Sequence, residues 1–410
     1  MERRSYTIVT ASYWGFTLTD GALRMLVLLH FHSLGYSSVQ LAFLFLLYEA
    51  CGVVTNLLGG WIGSRFGLKL TLFSGLATQV VALLALSLVQ PGWLEALSVA
   101  YVMAAQALSG VAKDLTKMSS KSAVKLLVPA LGSREAENRA LFKWVAVLTG
   151  SKNALKGVGF LLGGVLLGWL GFQWTLWMMA GALFVVLLSG MLTMRQDLGR
   201  SKAKVKFKQL FSKSREVNYL SFARFFLFGS RDIWFVVGLP VFLKETLNWS
   251  FAAVGAFMAA WIIGYGLVQA GAPAILRQGG AHSALRWAGI LTAVTASLAL
   301  AVEVEFHLGI VVLAGLAFFG AVFAVNSAVH SYLILAYTDS DNVTLNVGFY
   351  YMANAGGRLI GTLLSGVVYL SHGLPGCLWV STGFVAVATG LTALLPRQEK
   401  SEDLLAAAEK

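Results

Sequence analysis

The chain has 410 residues, of which 57% are hydrophobic and only 12% charged, and its mean hydropathy is +0.73. That composition lies outside the range of soluble globular domains and marks an integral membrane protein. The formal net charge of +12 sits mostly in short segments between apolar runs, which is the pattern of membrane orientation and argues against nucleic acid as a partner.

A spanning helix needs roughly 20 apolar residues. Runs of that kind recur near 6–31, 38–62, 69–90, 95–116, 140–168, 172–194, 217–243, 249–271, 285–303, 307–336, 343–370 and 376–395. The expected fold is all-α, with twelve transmembrane helices in two six-helix bundles over 1–194 and 217–396, a basic cytoplasmic linker over 195–216 and a cytoplasmic tail over 397–410. Met1-Glu2-Arg3-Arg4 leads straight into a full-length apolar run without a small-residue cleavage site, so no cleavable signal peptide is expected. Lys and Arg alternate between connections. Arg3, Arg4, Arg65, Lys69, the 117–143 and 195–215 segments, Arg277, Arg286 and Arg397 fall on one side, and Lys244 alone on the other. The first side, with both termini, is therefore expected in the cytoplasm. The linker run Arg200-Ser-Lys-Ala-Lys-Val-Lys-Phe-Lys fits that orientation and attraction to anionic headgroups.

Charged residues inside spans carry the functional reading, because each costs about 3 kcal/mol at the bilayer centre and so faces a wet cavity or a partner. In span one, Asp20 and Arg24 stand at i, i+4, which suits either a self-neutralising pair or an oxyanion-binding arginine with Asp20 competing for it and carrying a coupling proton. Glu49 lies in span two. In span four, Lys113, Lys117, Lys121 and Lys125 recur every four residues as a slowly winding basic stripe beside Asp114. Lys113 falls ~27 Å along the helix from Glu95, so the stripe leads out towards the cytosol, where it would focus anions. Lys152 and Lys156 share one face of span five, ~14 and ~20 Å past Lys143. Two ammonium groups so placed repel unless an anion or carboxylates such as Glu49 or Asp114 lie between them.

Span seven holds Arg224, Arg231 and Asp232; the two arginines are ~10 Å apart along one face, a spacing suited to the ends of an elongated dianion. Span ten has Asn326 and His330, the latter a structural hydrogen-bonding residue or a proton carrier. Span eleven has Asn354 and Arg358 on one face beside Gly356-Gly357, with Tyr350 and Tyr351 a turn earlier. Basic residues outnumber acids at this depth, so an anionic cargo is expected. Its binding residues would come from Arg24, Lys113, Lys117, Lys152, Lys156, Arg224, Arg231, Arg358 and Asn354, with Asp20, Glu49, Asp114, Asp232 and His330 as proton-coupling candidates. No metal or cofactor is expected: the six histidines form no ligand pattern, and Cys51 and Cys377 stand singly in different halves. Without a phosphate-binding P-loop or a nucleophile constellation, secondary transport is favoured over an ATP-driven pump or an enzyme.

The halves echo one another. Leu34-Gly35-Tyr36-Ser37 opens span two as Leu247-Asn248-Trp249-Ser250 opens span eight, and Asn153-Ala154 with Gly164 in span five is echoed by Asn354-Ala355 with Gly366 in span eleven. Gly60-Trp-Ile-Gly-Ser-Arg65-Phe-Gly67-Leu-Lys69 is similar to the G-x-L-a-D-R-x-G-R-K loop of the major facilitator superfamily, with Ser64 at the usual acidic position and Leu68 at the second basic one. Gly159-Phe160-Leu-Leu-Gly163-Gly164 resembles that superfamily's G-P-x-x-G-G antiporter signature, with Phe160 in the proline place; close helix packing explains the same glycines.

A closer resemblance lies in Tyr13-Trp-Gly-Phe-Thr-Leu-Thr-Asp-Gly-Ala-Leu-Arg24, in Gly110-Val-Ala-Lys-Asp-Leu-Thr-Lys-Met-Ser-Ser-Lys-Ser-Ala-Val-Lys125, and in Phe142-Lys-Trp-Val-Ala-Val-Leu-Thr-Gly-Ser-Lys-Asn-Ala-Leu-Lys-Gly157. These polar-rich runs resemble the ArsJ family of organoarsenical efflux permeases. The resemblance implies a multi-pass protein of the bacterial inner membrane that exports 1-arseno-3-phosphoglycerate and confers arsenate resistance. It also implies coupling to a glyceraldehyde-3-phosphate dehydrogenase that makes this cargo from arsenate. The lack of paired thiols fits a pentavalent, oxygen-rich arsenical.

Overall fold

A computed structural model of the protein describes residues 3–66, 68–90, 92–127, 134–194, 214–275, 280–337 and 343–396, and every regular element among them is helical. In chain order these are α1 Arg3–Ser33, α2 Ser38–Phe66, α3 Leu68–Leu86, α4 Glu95–Leu127, α5 Arg134–Thr193, α6 Arg215–Phe235, α7 Gly238–Glu245, α8 Phe251–Ile275, α9 Ala281–Glu303, α10 Leu308–Ala336 and α11 Val343–Ala393. Among the described residues nine stretches are long and apolar enough to cross a membrane, and α1, interrupted by Asp20 and Arg24, adds a further helix of 31 residues.

Two elements each contain two of the expected spans. The 60-residue α5 would be ~90 Å long if straight, but Gly171 breaks it with φ 75° and ψ −178°. Leu18 and Ala22 of α1 lie against Gly159 and Gly163, whereas Ser12 and Gly15 lie against Gly190 and Val186. Numbering rises along one arm and falls along the other, so the chain reverses at Gly171. The same happens in α11 at Gly373, with φ 60°: Gly229 and Gly238 of the α6–α7 region meet Gly357 and Ser365 on the first arm, and Phe384 and Cys377 on the second. Positive φ is why glycine occupies both turns.

Span seven is instead divided. The helix stops at Phe235 and restarts at Gly238, and the amides of Val237 and Gly238 both donate to Ser365 Oγ at 3.1 Å. A buried hydroxyl thus satisfies backbone groups that a membrane interior leaves without water.

The N-terminal and C-terminal helices meet through α2 against α11 and α5 against α8. Small residues set the distance. A Cβ at Gly255 would sit 2.8 Å from Phe160 O, one at Gly164 would collide with Phe251 O, and one at Gly366 with Ser38 O. Ser38 Oγ donates to Gly366 O at 3.0 Å, and His32 Nε2 lies 3.8 Å from Glu245 Oε1. These contacts join the halves at the end carrying residues 34–37 and 246–250, the distal end. The glycines of the 159–164 run are therefore helix-packing positions: Gly159 and Gly163 admit α1, and Gly164 admits α8. The side chains at 57–68, which include most of the loop motif, and those of Lys121 and Lys125 lie outside the described residues, as do the 195–213 part of the basic linker and the tail from 397.

Candidate functional site

Five side chains from four helices form a continuous ion-pair chain between the halves. Glu49 of α2, 1% exposed, accepts through Oε1 from Arg24 Nη2 at 2.7 Å and from Arg358 Nη2 at 2.6 Å. Arg358 Nε reaches Asp232 Oδ2 at 3.0 Å, and Arg231 Nε donates to Asp232 Oδ1 at 2.7 Å. The order Arg24–Glu49–Arg358–Asp232–Arg231 alternates in sign and carries one excess positive charge. Arg24 Nε is buried without a hydrogen-bond partner among the described residues.

Glu49 and Arg358 of this ion-pair chain line a cavity of about 80 Å³. Its wall brings together Lys113 and Lys117 of α4, Lys152 and Lys156 of α5, Arg358 and Asn354 of α11, and the carboxylates Asp20, Glu49 and Asp114. Tyr48 Oη donates to Asp20 at 2.6 Å, and Lys113 Nζ stands 3.9 Å above the Tyr48 ring. Asp114 accepts from the Thr55 hydroxyl and lies 3.7 Å from Lys117, whose ammonium also donates to Asn56 Oδ1 at 3.0 Å. Lys156 Nζ stands 5.7 Å from the centre of the Phe160 ring. Gly21 and Gly159 let α1 and α5 approach at this level, since a Cβ on Gly21 would come within 2.7 Å of Lys156 O.

Several expected pairings resolve differently. Asp20 and Arg24 do not neutralise each other: Asp20 turns to Tyr48 and Arg24 to Glu49, because Glu49 sits where two guanidinium groups converge. Asp232 takes both Arg231 and Arg358. Glu49 bonds Arg24 and Arg358, Asp114 accepts from Thr55 beside Lys117, and both carboxylates share one cavity wall with Lys152 and Lys156. Arg224 and Arg231 both lie against Phe228, at 3.8 and 5.1 Å from its ring centre. Arg224, 4% exposed, donates to Asn354 Oδ1 at 3.2 Å and to Ser327 O at 3.1 Å. It stands behind Asn354 rather than in the cavity wall. His330 is buried off the cavity, and among the described residues neither ring nitrogen has a hydrogen-bond partner.

The uncharged polar residues Tyr13, Thr17 and Asn56, with Gly52, complete the wall and were not singled out from sequence. Glu49, Gly52 and Asn56 follow one another at helical spacing, and that stripe in an apolar helix is the signal that identifies them. Among the described residues no three His, Cys, Asp or Glu side chains gather as metal ligands, and both cysteines are free.

Lys156→Gln is expected to lower transport by about 10- to 100-fold, the scale of one charge-assisted contact of ~1.5–3 kcal/mol, with normal amounts of folded protein in the membrane. Flux measured in vesicles with matched protein content checks it.

The family description Major Facilitator Superfamily matches residues 7–227 and 220–410. Among solved structures, a nucleoside transporter, NupG in a point-mutant form, superimposes with a TM-score of 0.72 at 14% identity, covering 96% of this chain and 100% of that one. A bacterial homologue of the iron transporter ferroportin, in an inward-facing state, superimposes with a TM-score of 0.68 at 16% identity, covering 94% and 98%. A comparison with curated proteins gives no match. Identities this low establish the fold alone, but the family match extends over nearly the whole length: this chain belongs to the Major Facilitator Superfamily and is a multi-pass membrane transporter.

Proposed function

We propose that the protein is a secondary transporter that exports 1-arseno-3-phosphoglycerate across a bacterial inner membrane, with both termini cytoplasmic, and so confers arsenate resistance. The observation that carries an anionic cargo is the charge excess at the site. In the wall Lys113, Lys117, Lys152, Lys156 and Arg358 stand against Asp20, Glu49 and Asp114, with Arg24, Arg231 and Asp232 joined to them through ion pairs and Arg224 behind Asn354, all of them buried or half-buried. Such an excess is costly in a low-dielectric interior and is relieved by bound anionic oxygens. The arsenical identity rests on the sequence resemblance, and a glyceraldehyde-3-phosphate dehydrogenase is the partner that would supply this substrate from arsenate.

The arrangement supports alternating access. Ligand pockets are typically ~300–1,000 Å³, so a cavity of about 80 Å³ must widen to admit a glycerate bearing two tetrahedral oxyanions. The glycine contacts at the distal end hold the halves together there, which leaves the opposite, Lys117-bearing end as the entry. Cargo oxygens then compete with Glu49 and Asp114 for the basic groups. Protonation of a displaced carboxylate is the simplest route for coupling, with Asp20, Glu49, Asp114, Asp232 and His330 as the candidate sites.

Cells that express this chain with the dehydrogenase and meet arsenate should hold less total arsenic than cells expressing either alone. Equal arsenic content in all three would refute export of this cargo, and strong phosphate counterflow in its place would identify an organophosphate/phosphate exchanger.

A further inference from the structure

At the distal end, α1, the Val89, Gln90 and Trp93 connection, the start of α4 and the Gly171 turn enclose a second cavity of about 470 Å³, several times the central one. All of its lining residues belong to the N-terminal helices and their connections. Phe31, Tyr36, Trp93 and Phe172 give it an aromatic wall, with His30 stacked on Phe172 at 4.0 Å. Its one carboxylate is Glu95, and among the described residues no Lys or Arg lines it. Its charge is thus opposite to that of the central cavity.

The surroundings are apolar and exposed. Leu34 in the wall is 46% exposed, and Leu88 and Leu94, chain neighbours of Val89 and Glu95, are 62% and 80% exposed. Trp169, one turn before Phe172, is 81% exposed. Exposed tryptophan and leucine at a helix end mark the membrane interface, so the cavity opens where headgroups lie.

We propose that this cavity binds the primary ammonium of an ethanolamine-type phospholipid headgroup. Aromatic faces and a carboxylate together attract an organic cation. An anionic headgroup would find Glu95 and no basic partner. A primary ammonium also carries three N–H donors. Glu95 is held in place for one of them, because its Oε1 accepts from Gln40 Nε2 at 2.6 Å. Gln173 donates through its amide nitrogen to Ser87 O at 3.2 Å, which leaves the oxygen as the end of that side chain suited to accept. A quaternary choline headgroup has no N–H to offer these acceptors. Occupancy would tie α1, α4 and α5 together beside the distal contact between the halves.

The test uses the full chain in bilayers containing equal proportions of ethanolamine, choline and glycerol phospholipids, with retained lipid read by native mass spectrometry. Wild type should prefer the ethanolamine lipid by about tenfold over both others; Glu95→Gln should remove most of that preference, and Trp93→Leu should lower the preference over the glycerol lipid, which has no ammonium for the aromatic face. Glu303→Gln, at an exposed distal carboxylate of the other half that accepts from Trp379, should keep it. Two variants in the wall guard against one that fails to fold. Equal retention of the three lipids by wild type, or an unchanged preference in both wall variants, overturns the proposal. Displacement of the lipid by soluble ethanolamine at comparable concentration would overturn the lipid assignment in favour of a free amine.

Discussion

Glu49→Ala should abolish transport and destabilise the protein by about 3–5 kcal/mol, the scale for removing one partner of a buried ion pair. Glu49 is the carboxylate that joins the halves through Arg24 and Arg358. Arg358 would keep Asp232, but Arg24 has no other carboxylate within 4 Å among the described residues, and its charge would be left uncompensated in the interior. Glu49→Gln preserves the shape and a carbonyl acceptor while removing the charge and the titration. It should therefore recover part of the stability without recovering proton-coupled flux. Unfolding of the purified protein and gradient-driven flux in vesicles separate the two effects. Wild-type stability in the alanine variant would mean that the ion-pair chain does not hold the halves, and full coupled flux in the glutamine variant would remove Glu49 from the coupling candidates.

The second large effect is expected from a wedge at the distal contact. Leucine at Gly366 would drive a side chain into the α2 backbone at Ser38, and leucine at Gly164 would do the same against Phe251 of α8. Each glycine faces the opposite half, so the helices of its own half need not repack. The expected result is a folded transporter that cannot close its distal end. Transport should fall by more than about tenfold, since interiors resist overpacking by ~1–3 kcal/mol. A cysteine introduced at Tyr36, in the cross-half cavity near Glu245 and Tyr369, should react faster with a membrane-impermeant maleimide. Gly168→Leu is the control: a Cβ there meets nothing within 4 Å, and flux and labelling should both stay at wild-type levels. Unchanged flux and labelling in Gly366→Leu and Gly164→Leu would show that this contact is no gate.

What could be read from sequence divides along a physical line. Long apolar runs disclose spans because every backbone group must be satisfied inside the helix, and the reversals at Gly171 and Gly373 fall between runs read as separate spans. The break at Val236–Val237 was hidden, because its stabilising partner, Ser365, is supplied by another helix 128 residues away. At the site, Arg24, Lys156 and Arg358 were conspicuous because a charge inside a span needs a reason. Their partners were not legible. Asp20 and Arg24 have the spacing of a local pair, yet Arg24 bonds a residue 25 positions away, a choice made by helix packing. Neutral wall residues such as Thr17 and Asn56 carry no cost that flags them. Arg224 shows the opposite limit: its charge was evident, but Asn354 and Ser327 draw it out of the wall.

The most direct measurement is uptake of 1-arseno-3-phosphoglycerate, generated from arsenate and glyceraldehyde 3-phosphate by the dehydrogenase, into inverted vesicles with and without an imposed pH gradient. Gradient-dependent accumulation that 3-phosphoglycerate and phosphate fail to match, and that Lys156→Gln loses, is the expected result. Equal uptake of the phosphate compounds, or no uptake of the arsenical at all, would contradict export of this cargo through the basic cavity.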